Sequence, residues 1–181
     1  MADTYQIKKQ NAPYFLTFQV VEWIDVFTRA VYRDIVLESF TYCIANKGLQ
    51  LFGYVVMSNH IHLIVQAGEG FQLSNIVRDI KSFTTKRIIK TIQESPESRR
   101  DWMLHQFKFA ASLHRRNDMF QLWTHENHAI ELVDEKVIEQ KLNYIHDNPV
   151  RARLVKNAED YLYSSARNYA DLDNLIAIER I

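Results

Sequence analysis

The stretch YVVMSNHIHLIVQ, residues 54–66, constrains the fold more than any other part of the chain. Two apolar, β-branched runs flank the polar pair Ser58-Asn59, so the segment reads as an antiparallel hairpin with strands over 49–57 and 60–66. Successive side chains of a strand point to opposite faces. Ile61, Leu63 and Val65 therefore share one wholly apolar face, whereas His60, His62, Ile64 and Gln66 share the other. Same-face neighbours lie about 6.6 Å apart along a strand, and two imidazoles at that spacing can lean onto one metal ion at roughly 2.1 Å from each nitrogen. The competing reading is two histidines that merely satisfy backbone carbonyls at a half-exposed edge. The cost of burying two titratable rings weighs against it.

The flanking sequence supplies the rest of a sheet. PYFLTFQVV (13–21) reads as a first strand. Residues 27–48 carry Val31, Ile35, Leu37 or Phe40, and Ile44 at helical intervals, with Gly48 where a C-terminal cap belongs. After the hairpin, 71–94 reads as a long amphipathic helix with Leu73, Ile76, Val77, Ile80, Phe83, Thr84 and Ile88 on its inner side. Residues 95–118 read mostly as loop, and MFQLWTH (119–125) as the fourth strand, with HAIEL as a short extension. DEKVIEQKLNYIHDN (134–148) reads as a helix with Asp134 as its N-cap and Pro149 as its stop. The order β-α-β-β-α-β predicts a ferredoxin-like α+β fold, a four-stranded antiparallel sheet with helices on one face, followed by an additional helix.

Composition closes off other classes. A chain of 181 residues, 47% hydrophobic with four Gly and three Pro, suits one globular domain and not a disordered or fibrous chain. The polar opening MADTYQIKKQ has no apolar signal segment, and no window reaches the roughly eighteen apolar residues of a membrane span. A cytoplasmic location is therefore expected. The single cysteine, Cys43, excludes an internal disulfide. The 22 Lys+Arg balance the 22 Asp+Glu, so a nucleic-acid site has to be a local patch. There is no Gly-rich phosphate loop, Cys-x-x-Cys pair or Gly-x-Ser-x-Gly elbow, and in HENHAIEL the second histidine, His128, comes one residue too early for a His-Glu-x-x-His zinc site.

Along the last helix Ile138, Leu142 and Ile145 form the core stripe. Tyr144 and Asn148, four residues apart, lie about 40° from each other on a different face, while His146 points nearly the opposite way from Tyr144. Taken alone, Tyr144 reads as an ordinary boundary aromatic and Asn148 as a helix terminus.

VVMSNHIHLIV (55–65) followed by YIHDNPVRARLV (144–155) resembles the REP-associated tyrosine transposases, relatives of the single-strand insertion-sequence transposases in the HUH nuclease superfamily. The likeness runs from YFLTF (14–18) through FQLWTHENHAIEL (120–132) to DYLYSSARNY (160–169). It implies a single domain over 1–181, with a ferredoxin-like core over about 13–133, a catalytic helix over about 134–148 and a tail over 149–181. It also implies that His60 and His62 bind a divalent metal, Mg²⁺ or Mn²⁺, with Asn148 as third ligand and Tyr144 as nucleophile. The implied reaction is metal-dependent cleavage and rejoining of single-stranded or hairpin DNA through a covalent 5′-phosphotyrosine, which conserves bond energy and needs no ATP. Cations placed to hold such DNA are Arg78, Lys81, Lys86 and Arg87 on the long helix, Arg115 and Arg116 before the fourth strand, and Arg151 and Arg153 after the catalytic helix, with Lys81 and Arg151 foremost.

Two residues depart from the mobile-element relatives. Asn148 stands where those have glutamine, as REP-associated members tend to, and Arg153 stands where glycine is commoner. Because mobile-element relatives form dimers that share active sites, a homodimer is expected. The alternative to an enzyme is a DNA-hairpin binding module that keeps the fold and does not cut.

Overall fold

In the computed structural model, which describes residues 6–113 and 119–181, strands β1 (Tyr14–Gln19), β2 (Leu49–Val56), β3 (His60–Ala67) and β4 (Ile130–Glu131) form one sheet in the order β2-β3-β1-β4. All pairs are antiparallel. With α1 (Ala30–Asn46) between β1 and β2, and α2 (Leu73–Glu94) and α3 (Arg100–Ser112) between β3 and β4, this is the expected ferredoxin-like arrangement. A fourth helix, α4 (Glu135–Arg151), follows, and then a short one, α5 (Ala166–Tyr169).

The central strands are buried on both faces, and their alternation sorts side chains between two cores. Tyr14, Leu16 and Phe18 of β1, with Ile61, Leu63 and Val65 of β3, enter the larger core beneath α1, α2 and α3. Phe15 and Ile64 face the other way, into a smaller cluster with Phe52, Val55, Met57, Leu132 and Ile145, onto which Ile138 and Leu142 of α4 pack. A register shift between Leu51 and Gly53 explains how β2 serves both. Leu49 and Leu51 point to the larger core before the shift, and Tyr54 and Val56 after it.

Glycine is required at two positions. Gly48 ends α1 at φ +66°, where a Cβ would also run into the Phe71 ring. Gly53 lets α4 close on the sheet, because a Cβ there would stand 2.8 Å from Leu142 Cδ1. At its N-terminus α4 is capped as its sequence predicts, Asp134 accepting from the Val137 amide at 2.9 Å.

Four expectations are corrected. Residues 119–125 are not the fourth strand: Trp123 makes an isolated bridge to Val20, and β4 is the short Ile130–Glu131. Backbone pairing stops at that one bridge, where the Val21 amide donates to the Leu122 carbonyl and the Thr124 amide to the Gln19 carbonyl, both at 2.9 Å. Trp123 adds side-chain contacts, stacking on Phe27 (5.6 Å between centroids) and donating from Nε1 to Thr84 Oγ1 at 2.9 Å. Part of 95–118, read as loop, is α3, whose Met103, Phe107, Ala110 and Ala111 bury one face at helical spacing. Val31 and Phe83, placed on inner stripes, are exposed.

The fourth concerns Pro149, which does not stop α4; the helix runs on to Arg151. It ends in a Schellman turn, the Leu154 amide donating to the Pro149 carbonyl and the Arg153 amide to the Val150 carbonyl, both at 2.9 Å. The residues beyond fold back and cover the outer edge of β2: the amides of Val56, Ser165 and Glu179 meet the carbonyls of Tyr163, Tyr54 and Leu51. That edge is thereby closed to further strands.

Arg153 occupies the left-handed position of this turn, at φ +58°. A non-glycine residue there costs about 1–2 kcal/mol, against roughly 0.5–1 kcal/mol of extra chain entropy that glycine loses on folding. Arg153→Gly is expected to raise stability by up to about 1 kcal/mol in urea unfolding. A loss of stability would show that the arginine side chain contributes more than its backbone costs.

Candidate functional site

On the sheet face that packs against α4, the β1–β3 register sets Thr17 opposite His62 and Gln19 opposite His60. Thr17 Oγ1 lies 2.9 Å from His62 Nδ1, and Phe15 stacks on the His62 ring at 5.2 Å with 24° between planes. His60 Nδ1 lies 2.7 Å from Asn59 Oδ1. The Asn59 amide nitrogen donates to the Trp23 carbonyl at 3.3 Å, which fixes the side chain's orientation and turns its oxygen toward His60. An amide oxygen only accepts, so His60 carries its proton on Nδ1 and keeps the Nε2 lone pair.

The two imidazoles stand 4.7 Å apart between centroids. His62 is buried and His60 half-buried. Burial pushes His62 down to about 3, helped by the nearby His60 and Lys141, and burial also lowers His60. Both rings are neutral at pH 7, the state in which imidazole ligates a metal.

From the facing helix α4, the Tyr144 ring meets His62 at 5.2 Å and Phe15 at 5.9 Å, edge-on in both cases. Tyr144 is 37% exposed, so its surface is open to a ligand from solvent. Two cations flank the ring: Lys141 Nζ at 5.8 Å and Arg151 Cζ at 5.6 Å from its centroid. Asn148, half-buried, comes one turn later on α4. His146 faces away, as expected, with Nε2 2.9 Å from Ser165 Oγ.

Among the described residues no group of three or more His, Cys, Asp and Glu could hold a metal ion. The side chains here that could hold one are the two imidazoles: Nδ1 of His60 faces the Asn59 oxygen, and Nδ1 of His62 faces the Thr17 hydroxyl, which can accept its proton and so free Nε2.

Of the residues that sequence reasoning singled out, the fold brings His60, His62 and Tyr144 together with Arg151 at the Tyr144 ring, while Asn148 lies one turn further along α4. Sequence reasoning missed Phe15, Thr17, Asn59 and Lys141. Thr17 was legible in part, because it lies on the β1 face opposite Leu16 and Phe18. Arg78, Lys81 and Lys86 are not at the histidine pair; they line a groove of about 560 Å³ between α2 and residues 119–127, a helix packed on the other side of the sheet. Arg78 is bonded to Asp79, and Lys81 Nζ donates to the Thr124 carbonyl at 2.9 Å and sits 5.0 Å from the Phe18 ring centroid. Burial pushes the Lys81 ammonium down to about 7. Arg153 is exposed beyond α4, and Arg115 and Arg116 lie outside the described residues. No helix among the described residues is long and apolar enough to cross a membrane.

The family model described as "Transposase IS200 like" matches residues 9–148. Among solved structures, a REP-associated tyrosine transposase bound to a REP hairpin is 18% identical, with a TM-score of 0.66 over 100% of this chain and 99% of that one. A protein of Deinococcus radiodurans R1 with a provisional transposase name is 17% identical, with a TM-score of 0.44 over 78% of this chain and 94% of that one. Among curated proteins no sequence matches.

Two expectations follow from the buried histidines. His62 and His146, the latter lowered by burial to about 4, both titrate in the fold below the ordinary value of about 6.5. The unfolded chain therefore binds more protons between those values, and the contribution of these two rings to stability is fully present above about pH 6.5 and drains as pH falls. The thermal midpoint is expected to drop from pH 6.5 to 5, less steeply in His146→Gln; a midpoint constant across that window would contradict neutral burial. For a metal held by the histidine pair, Thr17→Val, which keeps shape and removes the hydroxyl, is expected to weaken Mn²⁺ binding roughly 10- to 100-fold in calorimetry, while Thr17→Ser preserves it. Equal affinity in the valine variant would show that Thr17 does not orient His62.

Proposed function

This chain belongs to the IS200-like transposase family, and we propose that it cleaves and rejoins single-stranded or hairpin DNA with Tyr144 as nucleophile and His60, His62 and Asn148 as ligands of Mg²⁺ or Mn²⁺. The observation that carries this reading is the meeting of Tyr144 and His62, brought from separate elements to 5.2 Å across the β3–α4 interface. A further support is that Asn59 and Thr17 sit at Nδ1 of His60 and His62, so that Nε2 of each ring can serve as a ligand atom, with the rings 4.7 Å apart between centroids.

Bound there, a divalent ion would supply electrophilic polarisation of the scissile phosphate. The Tyr144 hydroxyl oxygen bonds to phosphorus as the bond to the 3′ oxygen breaks. The phenolic proton passes to solvent, the departing 3′ oxygen takes one up, and a 5′-phosphotyrosine remains. Attack by another 3′-hydroxyl reverses the step and rejoins the strand. A neutral phenol is a weak nucleophile, and Lys141 and Arg151, at 5.8 and 5.6 Å from the ring centroid, stabilise negative charge as it develops.

The same cations suit a polyanionic substrate. In this reading Arg151 and Arg153 hold the strand near Tyr144, and Arg78, Lys81 and Lys86 engage a second part of it along the α2 groove. A hairpin is favoured because the REP-associated protein of the same fold is bound to one, and Asn148 in place of glutamine points to that subgroup. We take the protein to act as a homodimer in the cytoplasm, where the lone buried Cys43, raised to about 11 by burial, stays a thiol.

Purified protein incubated with labelled hairpin DNA and Mn²⁺ is expected to give a denaturant-resistant adduct. Tyr144→Phe should reduce that adduct to background while hairpin affinity changes less than about threefold, the ring and its packing being retained. Adduct formation by the phenylalanine variant would remove Tyr144 from the role. Binding without any adduct in the unaltered protein would leave a module that recognises hairpins and does not cut.

A further inference from the structure

The turn after β1 holds two consecutive non-glycine residues in the left-handed region, Glu22 at φ +52° and Trp23 at φ +55°. Bulky side chains are disfavoured there, and such positions persist only where surrounding structure fixes them. Here the fixing contacts are visible. The Trp23 amide donates to the Val20 carbonyl at 3.2 Å, and the Trp23 carbonyl accepts from Asn59 Nδ2 at 3.3 Å. The Val20 amide in turn donates to the Asn59 carbonyl at 2.9 Å, and the Phe27 amide to the Ser58 carbonyl at 2.8 Å. The turn is thus bonded along its length to the hairpin connection that precedes His60.

Asn59 links the two sides. Its nitrogen holds the Trp23 backbone, and its oxygen holds His60 Nδ1. What this arrangement presents is a tryptophan 62% exposed, the most accessible of the three in the chain, whose backbone carbonyl is joined through the Asn59 side chain to His60. Trp102, 48% exposed on α3, has neither the left-handed backbone nor the link to His60, so exposure alone does not distinguish Trp23. An indole on a rigid backbone is a stacking surface that any nucleobase can use, because every base has a π face. Only an unpaired base offers that face inside a strand.

We propose that Trp23 is a stacking platform for one unpaired nucleobase flanking the scissile phosphate, held in place relative to His60 by Asn59. This rests on the reading of the His60, His62 and Tyr144 face as the DNA-cleavage site. The platform fixes the strand laterally, with no preference among bases, and leaves recognition of the paired stem to other contacts. Glu22 and Trp23 keep their strained backbone because a relaxed turn would release the indole from that position.

The test uses the full chain and hairpin oligonucleotides carrying 2-aminopurine at each unpaired position in turn, together with a blunt hairpin that has no unpaired flank. Stacking on Trp23 is expected to quench one position, with Trp23→Leu losing that quench and binding the flanked hairpin about 5- to 100-fold more weakly. Trp23→Phe should keep most of both, and the blunt hairpin should bind all three proteins alike. Trp23→Gly, which relieves the left-handed strain, is expected to lose the quench and raise the thermal midpoint by roughly 2–4 °C. Unchanged quench and affinity in Trp23→Leu overturn the proposal, as does failure of the unaltered protein to bind flanked hairpins better than blunt ones. The two readings separate cleanly. An adduct at Tyr144 with no effect of Trp23→Leu on flank binding sinks the platform and keeps the nuclease, whereas flank binding that depends on Trp23 without any adduct does the reverse.

Discussion

The alternation along β3 sets the rest of the arrangement. Ile61, Leu63 and Val65 are buried in the larger core, each worth about 1.5–3 kcal/mol relative to exposure. A slip of one residue would drive two imidazoles into that core and turn the three aliphatic side chains outward. The register against β1 is therefore locked, and the lock delivers His62 to Thr17 and His60 to the end of β1 beside Asn59. Burial then holds both rings neutral. Packing energy, and not any attraction between the site residues, fixes their position.

Charge is distributed unevenly beneath a formal total of zero. Lys141 and Arg151 converge on one aromatic ring, while Arg78 and Lys81 are engaged by Asp79 and the Thr124 carbonyl. At physiological ionic strength, charges beyond roughly 8 Å are largely screened. The surroundings of Tyr144 are thus set by the charges next to it, the two cations at its ring and the Asp147 carboxylate one turn on along α4, more than by the total. Left-handed backbone at non-glycine residues occurs at both ends of this region, at Trp23 beside the hairpin connection and at Arg153 beyond α4. In each case the strained residue is exposed and of a type suited to nucleic acid.

Much of this could be read from the chain. The two-residue period of HIHLIV, the Gly48 cap, the Asp134 cap and the face shared by Tyr144 and Asn148 are local properties, set by neighbours within four positions, and the structure reproduces the first three directly. The fourth strand differs from its sequence pattern because contacts distant in the chain decide it, Trp123 pairing with Val20 at a single bridge while its ring packs on Phe27 and bonds to Thr84. The end of α4 differs for a local reason, Pro149 staying helical because its carbonyl and that of Val150 are met by the Schellman bonds that follow.

For the site, the sequence determined which residues have the chemistry and which face of their own element they occupy, because periodicity is a property of the backbone. Only the tertiary structure decided that those faces meet. The absence of a side chain at Gly53 lets Leu142 settle on the sheet, and this brings Tyr144 onto the histidine pair. It alone decided that Phe15, Thr17, Asn59 and Lys141 complete the surroundings, and that Arg78, Lys81 and Lys86 lie elsewhere. The physical reason is that strand pairing and helix packing join residues far apart in the chain through contacts that no local pattern encodes.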